Sequence, residues 1–219
     1  MTTHDLLIFD LDGTLIDSSR DLADSVNAMR RHMGHEPLAD AAVYSYVGNG
    51  APVLVQRALP GASQEDLDRG LRYFLDYYRE HMLDATTLYP GVREALDRLQ
   101  DAGVRMAVLT NKPVRFSAHL LDGLGLGAHF FRVYGGNSFE EKKPHPKGVL
   151  LLMEEAGVRP EQTVMIGDSA VDILTARNAG VRSCGVTWGF QPETFAQAPP
   201  DFVIRDMREL PEILTRSRS

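Results

Sequence analysis

The stretch LLIFDLDGTLID (residues 6–17) runs four apolar residues into Asp10, adds Asp12 two positions on, and follows with Gly13 and Thr14. A short apolar run of this kind suits a strand buried on both faces, as in a parallel sheet covered by helices. Two carboxylates at the end of such a strand resist joint ionisation, so their surroundings must either neutralise them or use them.

Working outward from this stretch, similar short runs recur after residue 100: VRMAVLT (104–110), RVYGG (132–136), TVMIGD (163–168), VRSCGVTW (181–188) and DFVI (201–204). Helical patterns fill the gaps. PGVREALDRLQDAG (90–103) places Pro90 in a first turn and stops at Gly103, and HPKGVLLLMEEAG (145–157) and SAVDILTARNAG (169–180) also end at glycine. DMRELPEILTRS (206–217) continues the alternation, which is a βαβ series. Residues 17–87 differ. They hold no convincing strand, but SSRDLADSVNAMRRHMG, LADAAVYSYVG, APVLVQRAL and SQEDLDRGLRYFLDYYREHM suit amphipathic helices, with Ser18 or Ser19 and Ser63 as N-caps. The expected architecture is therefore α/β: a Rossmann-like parallel core from residues 1–15 and 88–219, with an all-helical domain, 16–87, inserted after the first strand.

Composition narrows the partners. The 219 residues carry a net charge of −7, which argues against nucleic acid or an anionic membrane surface but not against a small anionic ligand. The single cysteine, Cys184, lies in an apolar run and reads as a core residue. The N-terminus reaches an acid too early for a signal peptide, and no apolar run approaches the roughly 18 residues of a membrane span, so a cytoplasmic location is expected. Whether the chain is a monomer or a homodimer is left open. GLGLGAHF (123–130) follows a helical pattern rather than a strand and reads as a helix end and turn, not a dinucleotide site. VGNGA (47–51) is either a helix break or a loop tip turned toward a ligand.

In an open parallel sheet, ligands collect beyond the carboxyl ends of the strands. Those ends carry Asp10 and Asp12, Thr110 and Asn111, and Asp168 with Asp172, while Lys142 and Lys143 precede a helical stretch. The set suits phosphoryl transfer. Asp10 and Asp168 offer oxygen ligands to a hard cation such as Mg²⁺, which would offset their repulsion. A free oxygen of Asp10 could attack phosphorus, and Asp12, held in a turn by Gly13, could protonate the leaving oxygen and later accept a proton from water. Thr110, Asn111, Lys143 and backbone N–H groups of the Gly13 loop would donate to the phosphoryl oxygens. Asp172, four residues after Asp168, either supports the metal ligands or is an ordinary first-turn acid.

Taken together, DLDGT (10–14), TN (110–111), KP (143–144) and GDSAVD (167–172) resemble the four motifs of the haloacid dehalogenase superfamily of aspartate-dependent phosphotransferases, over almost the whole chain. The resemblance implies Asp10 as nucleophile and metal ligand. It implies Asp12 as acid/base with a carbonyl metal contact, Asp168 as metal ligand, Thr110 and Lys143 as phosphate binders, Mg²⁺ as cofactor, and a helical cap of the first type. Lys112 and Lys142 stand nearby; of the adjacent pair Lys142 and Lys143, only Lys143 directly precedes proline. Asp12 argues against a dehalogenase, which has no alkoxide to protonate. Within the superfamily, YVGNGAPVLVQRAL (46–59), TNKP (110–113) and GGNSFEEKKPHP (135–146) are most like the branch that hydrolyses 2-phosphoglycolate. The expected activity is thus a Mg²⁺-dependent phosphatase for small phosphorylated metabolites. A phosphomutase or pyrophosphatase on the same frame, or a non-catalytic phospho-ligand regulator, are the alternatives. Closure of the cap is expected to bring Gly48, Asn49 and Gly50 over the substrate, with Asn49 and Arg57 as candidates for its carboxylate, and the aromatics of RYFLDYY (72–78) as cap core.

Overall fold

The computed structural model describes residues 5–216, with 214–216 as helical backbone. The first four and last three residues, which the expected core segments, the N-terminal reading and the last helical pattern include, lie outside the described residues. The chain opens with β1 (Leu6–Phe9) and the short β2 (Ile16–Asp17), then enters four helices, α1 (Ser19–His32), α2 (Asp40–Tyr44), α3 (Ala51–Ala58) and α4 (Gln64–His81). It returns through β3 (Thr87–Leu88) into α5 (Val92–Asp101), β4 (Arg105–Leu109), α6 (Val114–Gly123), β5 (Arg132–Tyr134), α7 (Lys147–Ala156), β6 (Thr163–Gly167), α8 (Ala170–Ala179), β7 (Arg182–Val186), β8 (Phe202–Ile204) and α9 (Glu209–Arg216).

Six of these strands form one sheet in the order β5-β4-β1-β6-β7-β8, and every pairing is parallel. β1 is the central strand, and all four of its residues are fully buried. That explains its uninterrupted apolar run, because helices cover both faces of such a sheet. From β1 the chain passes to β4 and β5 on one side and then crosses to β6 on the other. The carboxyl ends of β1, β4 and β6 therefore adjoin at a point where the order reverses, which is where open α/β sheets bind ligands.

The helical segment differs from its expected form in small ways. Its two crossings to the sheet are joined by a two-stranded antiparallel ladder, Ile16 opposite Leu88 and Asp17 opposite Thr87, where the sequence suggests no strand. Ser18 precedes α1 but does not cap it; its hydroxyl donates to Asp12 instead, and the Asp17 carboxylate accepts from the Ser19 amide at 3.0 Å. Ser63 does cap α4, accepting from the Asp66 amide. Pro90 lies before α5 rather than in its first turn, because Gly91 intervenes in a left-handed conformation at φ 77°. The GLGLGAHF stretch is the end of α6 followed by a turn at Gly125, φ 68°. Cys184 is fully buried in β7. No helix among the described residues is long and apolar enough to cross a membrane.

Candidate active site

Asp10 is the first residue beyond β1, and its amide still donates to the Ile166 carbonyl, extending the ladder by one step. The side chain is thereby aimed at the crevice beyond the sheet. Oδ1 of Asp10 accepts from the Leu11 amide at 2.7 Å and from Lys143 Nζ at 2.9 Å. Lys143 Nζ also meets Asp172 Oδ1 at 2.6 Å, so this one ammonium bridges two buried acids. Asp172 is held in turn by the Ser169 amide and hydroxyl, both donating to its Oδ2. Its position in the first turn of α8 thus serves a capping box and a lysine together.

Asp168 follows β6, and its Oδ2 accepts from the Phe190 amide at 2.6 Å. Asp10, Asp168 and Asp172 each place a carboxylate oxygen within 4.8 Å of the others. Burial drives the Asp10 carboxyl up to about 6; Lys143 opposes the rise and Asp172 adds to it. Burial raises Asp168 well above the usual carboxylate range, with Asp172 and then Asp10 adding to the effect. Burial also works against the charge on Lys143, but Asp10 and Asp172 outweigh it and hold the ammonium above its ordinary value. The donor set fits a hard divalent cation. Its atoms are all carboxylate oxygens, and with Asp172 committed to Lys143 and Ser169, Asp10 and Asp168 each keep one oxygen without a hydrogen bond among the described residues.

Gly13 closes the turn after Asp12 at φ 80°, and a Cβ there would lie 2.3 Å from Asp168 Oδ2. Its N–H donates to the Ile16 carbonyl, so the candidate phosphate donor at this position already has a partner. Asn111 is similarly occupied: its amide nitrogen donates to the carbonyls of Gly48 and Lys143, and its oxygen accepts from the Lys143 amide. It ties the helical segment and the lysine loop to the end of β4. Thr110 is buried at that strand end, and its hydroxyl accepts from the Lys112 amide at 3.3 Å.

Asp12 presents a feature that strand-end reasoning did not single out. Both of its carboxylate oxygens accept from Lys112 Nζ, each at 3.0 Å, and Ser18 Oγ donates to Oδ1 at 2.5 Å. The Lys112 ammonium also lies 4.5 Å from the centre of the Tyr78 ring. Lys112 and Lys143 thus take one first-loop acid each, while Lys142 is exposed.

These residues floor a cavity of about 50 Å³. Asp10, Asp12, Thr110 and Asp168 line it from the sheet; Gly48, Gly50, Leu54, Phe74 and Tyr78 line it from the helical segment. The VGNGA loop is therefore a tip turned toward the site, and Gly50, φ 85°, brings it so close that a Cβ would stand 3.1 Å from the Asn111 carbonyl. Phe74 and Tyr78 are buried and stacked at 5.7 Å, serving as packed core and cavity wall at once. Asn49 and Arg57 are not among the lining residues; Arg57 is exposed and donates to the Tyr46 carbonyl. Asn137 accepts from the Val114 amide at the start of α6, a structural task away from the cavity.

Comparison with known proteins agrees with this arrangement. Residues 7–186 match the model of the haloacid dehalogenase-like hydrolases. The chain is 44% identical over 212 residues to a phosphoglycolate phosphatase of Pseudomonas putida, covering 94% of this chain and 78% of that one. It is 40% identical over 227 residues to the phosphoglycolate phosphatase of Vibrio parahaemolyticus, covering 99% of this chain and all, 100%, of the other. A crystal structure of a predicted phosphoglycolate phosphatase from Haemophilus somnus superposes with a TM-score of 0.93 at 35% identity, covering 97% of this chain and 99% of that one. A six-stranded parallel sheet with aspartates at its central strand ends, a helical segment roofing them, and a family match across most of the chain have one common explanation: the protein belongs to the haloacid dehalogenase-like hydrolases.

Proposed function

We propose that the protein hydrolyses 2-phosphoglycolate to glycolate and phosphate, with Asp10 as nucleophile and Mg²⁺ as cofactor. The observation that carries this reading is the pairing of two acids from one loop, both lining a small cavity, with separate lysines. Binding alone needs no second first-loop acid. The near full-length relatives named for this activity support the choice of substrate.

An oxygen of Asp10 attacks phosphorus while the ester oxygen departs, and Asp12 gives that oxygen its proton. Water then attacks the phosphorylated Asp10, giving up a proton to Asp12, and inorganic phosphate leaves with Asp10 restored. Lys143 has one N–H beyond those it gives to Asp10 and Asp172, and this donor with the Thr110 hydroxyl holds the phosphoryl oxygens. Asp10, Asp168 and the Asp12 carbonyl would hold Mg²⁺. Bound there, the cation would offset the charge of the carboxylates and of the transferring group. Residues 16–87 act as the cap, whose apolar roof excludes water until substrate is seated.

The test is phosphate release from 2-phosphoglycolate, sugar phosphates, nucleotides and pyrophosphate, with Mg²⁺ or with excess EDTA. Metal-dependent release fastest from 2-phosphoglycolate is expected. A higher kcat/KM for another substrate would displace the substrate assignment, and a protein inert toward every phosphoester would overturn the catalytic one.

A further inference from the structure

We propose that Lys112 is the specificity residue of this site: its ammonium binds the carboxylate at the non-phosphate end of the substrate. The inference rests on the substrate reading above and names the residue that would enforce it.

A two-carbon substrate ending in a carboxylate needs a cation inside the cavity, because burying an uncompensated charge there is costly. Among the described residues lining the cavity, Lys112 is the only cationic side chain. Lys143 does not line the cavity and keeps its remaining N–H for the phosphoryl group, and Arg57 is exposed outside the cavity. The Lys112 side chain is 6% exposed and reaches the cavity from the loop after β4, so the sheet rather than the helical roof sets its position.

Its place relative to the chemistry is also right. Nζ lies 3.0 Å from each oxygen of Asp12, the group that must meet the leaving oxygen. In 2-phosphoglycolate the carboxylate carbon is separated from that oxygen by a single methylene. A substrate whose ester oxygen sits beside Asp12 therefore carries its carboxylate into the neighbourhood of Nζ. An ammonium has three N–H donors, and two are used on Asp12, which leaves one without a protein partner among the described residues. The Tyr78 ring on one side of the ammonium confines it, and the Tyr78 hydroxyl is buried with no hydrogen-bond partner among the described residues.

Ethyl phosphate separates this role from that of merely holding Asp12, since it has the same length as 2-phosphoglycolate and a methyl group in place of the carboxylate. We would measure kcat/KM for both compounds, or the inhibition constant of ethyl phosphate where turnover is too slow, in wild type, Lys112→Met and Lys112→Arg. Thermal unfolding of each variant would verify the fold. Lys112→Met should lose on the order of 100-fold on 2-phosphoglycolate and less than about tenfold on ethyl phosphate, with Lys112→Arg keeping part of the preference. An equal loss on both compounds in Lys112→Met, with wild type preferring 2-phosphoglycolate, would overturn the assignment and make Lys112 a support for Asp12 alone. A wild type with no preference between the two would overturn the substrate reading itself and this proposal with it.

Discussion

Asp10 stands where stability and reactivity pull in opposite directions. Its carboxyl is pushed up to about 6 chiefly by burial, against the pull of Lys143 and with the push of Asp172. Asp10→Asn removes that charge in nearly the same volume and leaves Lys143 its contact with Asp172. Phosphate release should fall by on the order of 10³-fold or more, because an amide cannot replace the proposed carboxylate nucleophile. The melting temperature of the metal-free protein at neutral pH should rise, since a strained functional charge has gone. Parallel activity and thermal-unfolding assays check both halves. Gly13→Ala should fail differently, because a Cβ at φ 80° is strained and would meet Asp168 Oδ2 at 2.3 Å. It should cost about 1–3 kcal/mol in chemical denaturation and much of the activity, since Asp168 must shift. Asp10, Asp12, Thr110, Lys143 and Asp168 could be found from sequence because each sits at a strand end or in a short motif. The partnership of Lys112 with Asp12 spans 100 positions and leaves no local pattern, and the hydrogen bonds that occupy Asn111 and Gly13 are equally invisible without coordinates.

At the scale of elements, legibility followed length and punctuation. The six parallel strands show as apolar runs because both their faces are covered, and α7 and α8 end at Gly157 and Gly180, φ 65° and 70°. The β2–β3 ladder, two residues on each side, is too short to have a period. Asp21 escaped notice for another reason: it looks like an ordinary first-turn acid of α1. Its carboxylate is buried and accepts from the amides of Ala85 and Thr86 and from the Thr86 hydroxyl. It thereby pins the segment leaving the helices to the helix that begins them. Asp21→Ala would orphan those buried donors, so a loss of about 2–4 kcal/mol in denaturant unfolding is expected. If the loss stays near that of a surface substitution, within about 0.5 kcal/mol, the clamp has no energetic weight.

For the molecule as a whole, the buried acids couple folding, protons and metal. A carboxyl raised in the folded state holds its proton over a range where the unfolded chain has already lost it. Between the ordinary aspartate value of 3.8 and about 6, the metal-free folded form therefore binds more protons at Asp10, and its stability falls as pH rises through that window. Above it, the full penalty remains, on the order of 3 kcal/mol for a shift of this size. Asp168 is raised and acts in the same direction. Lys143 is raised too, but a lysine's contribution is constant well below its ordinary range and is lost only at strongly alkaline pH, so it does not shape this window. A divalent cation competes with protons for the same oxygens. Excess Mg²⁺ should consequently raise the melting temperature several degrees more at about pH 7.5 than at about pH 5, where protons must first be displaced. Thermal scans with Mg²⁺ and with EDTA at the two pH values measure the difference, and Asp168→Asn should shrink it. An equal Mg²⁺ effect at both pH values would mean that the cation binds elsewhere, and that the repulsion among Asp10, Asp168 and Asp172 is relieved by Lys143 alone.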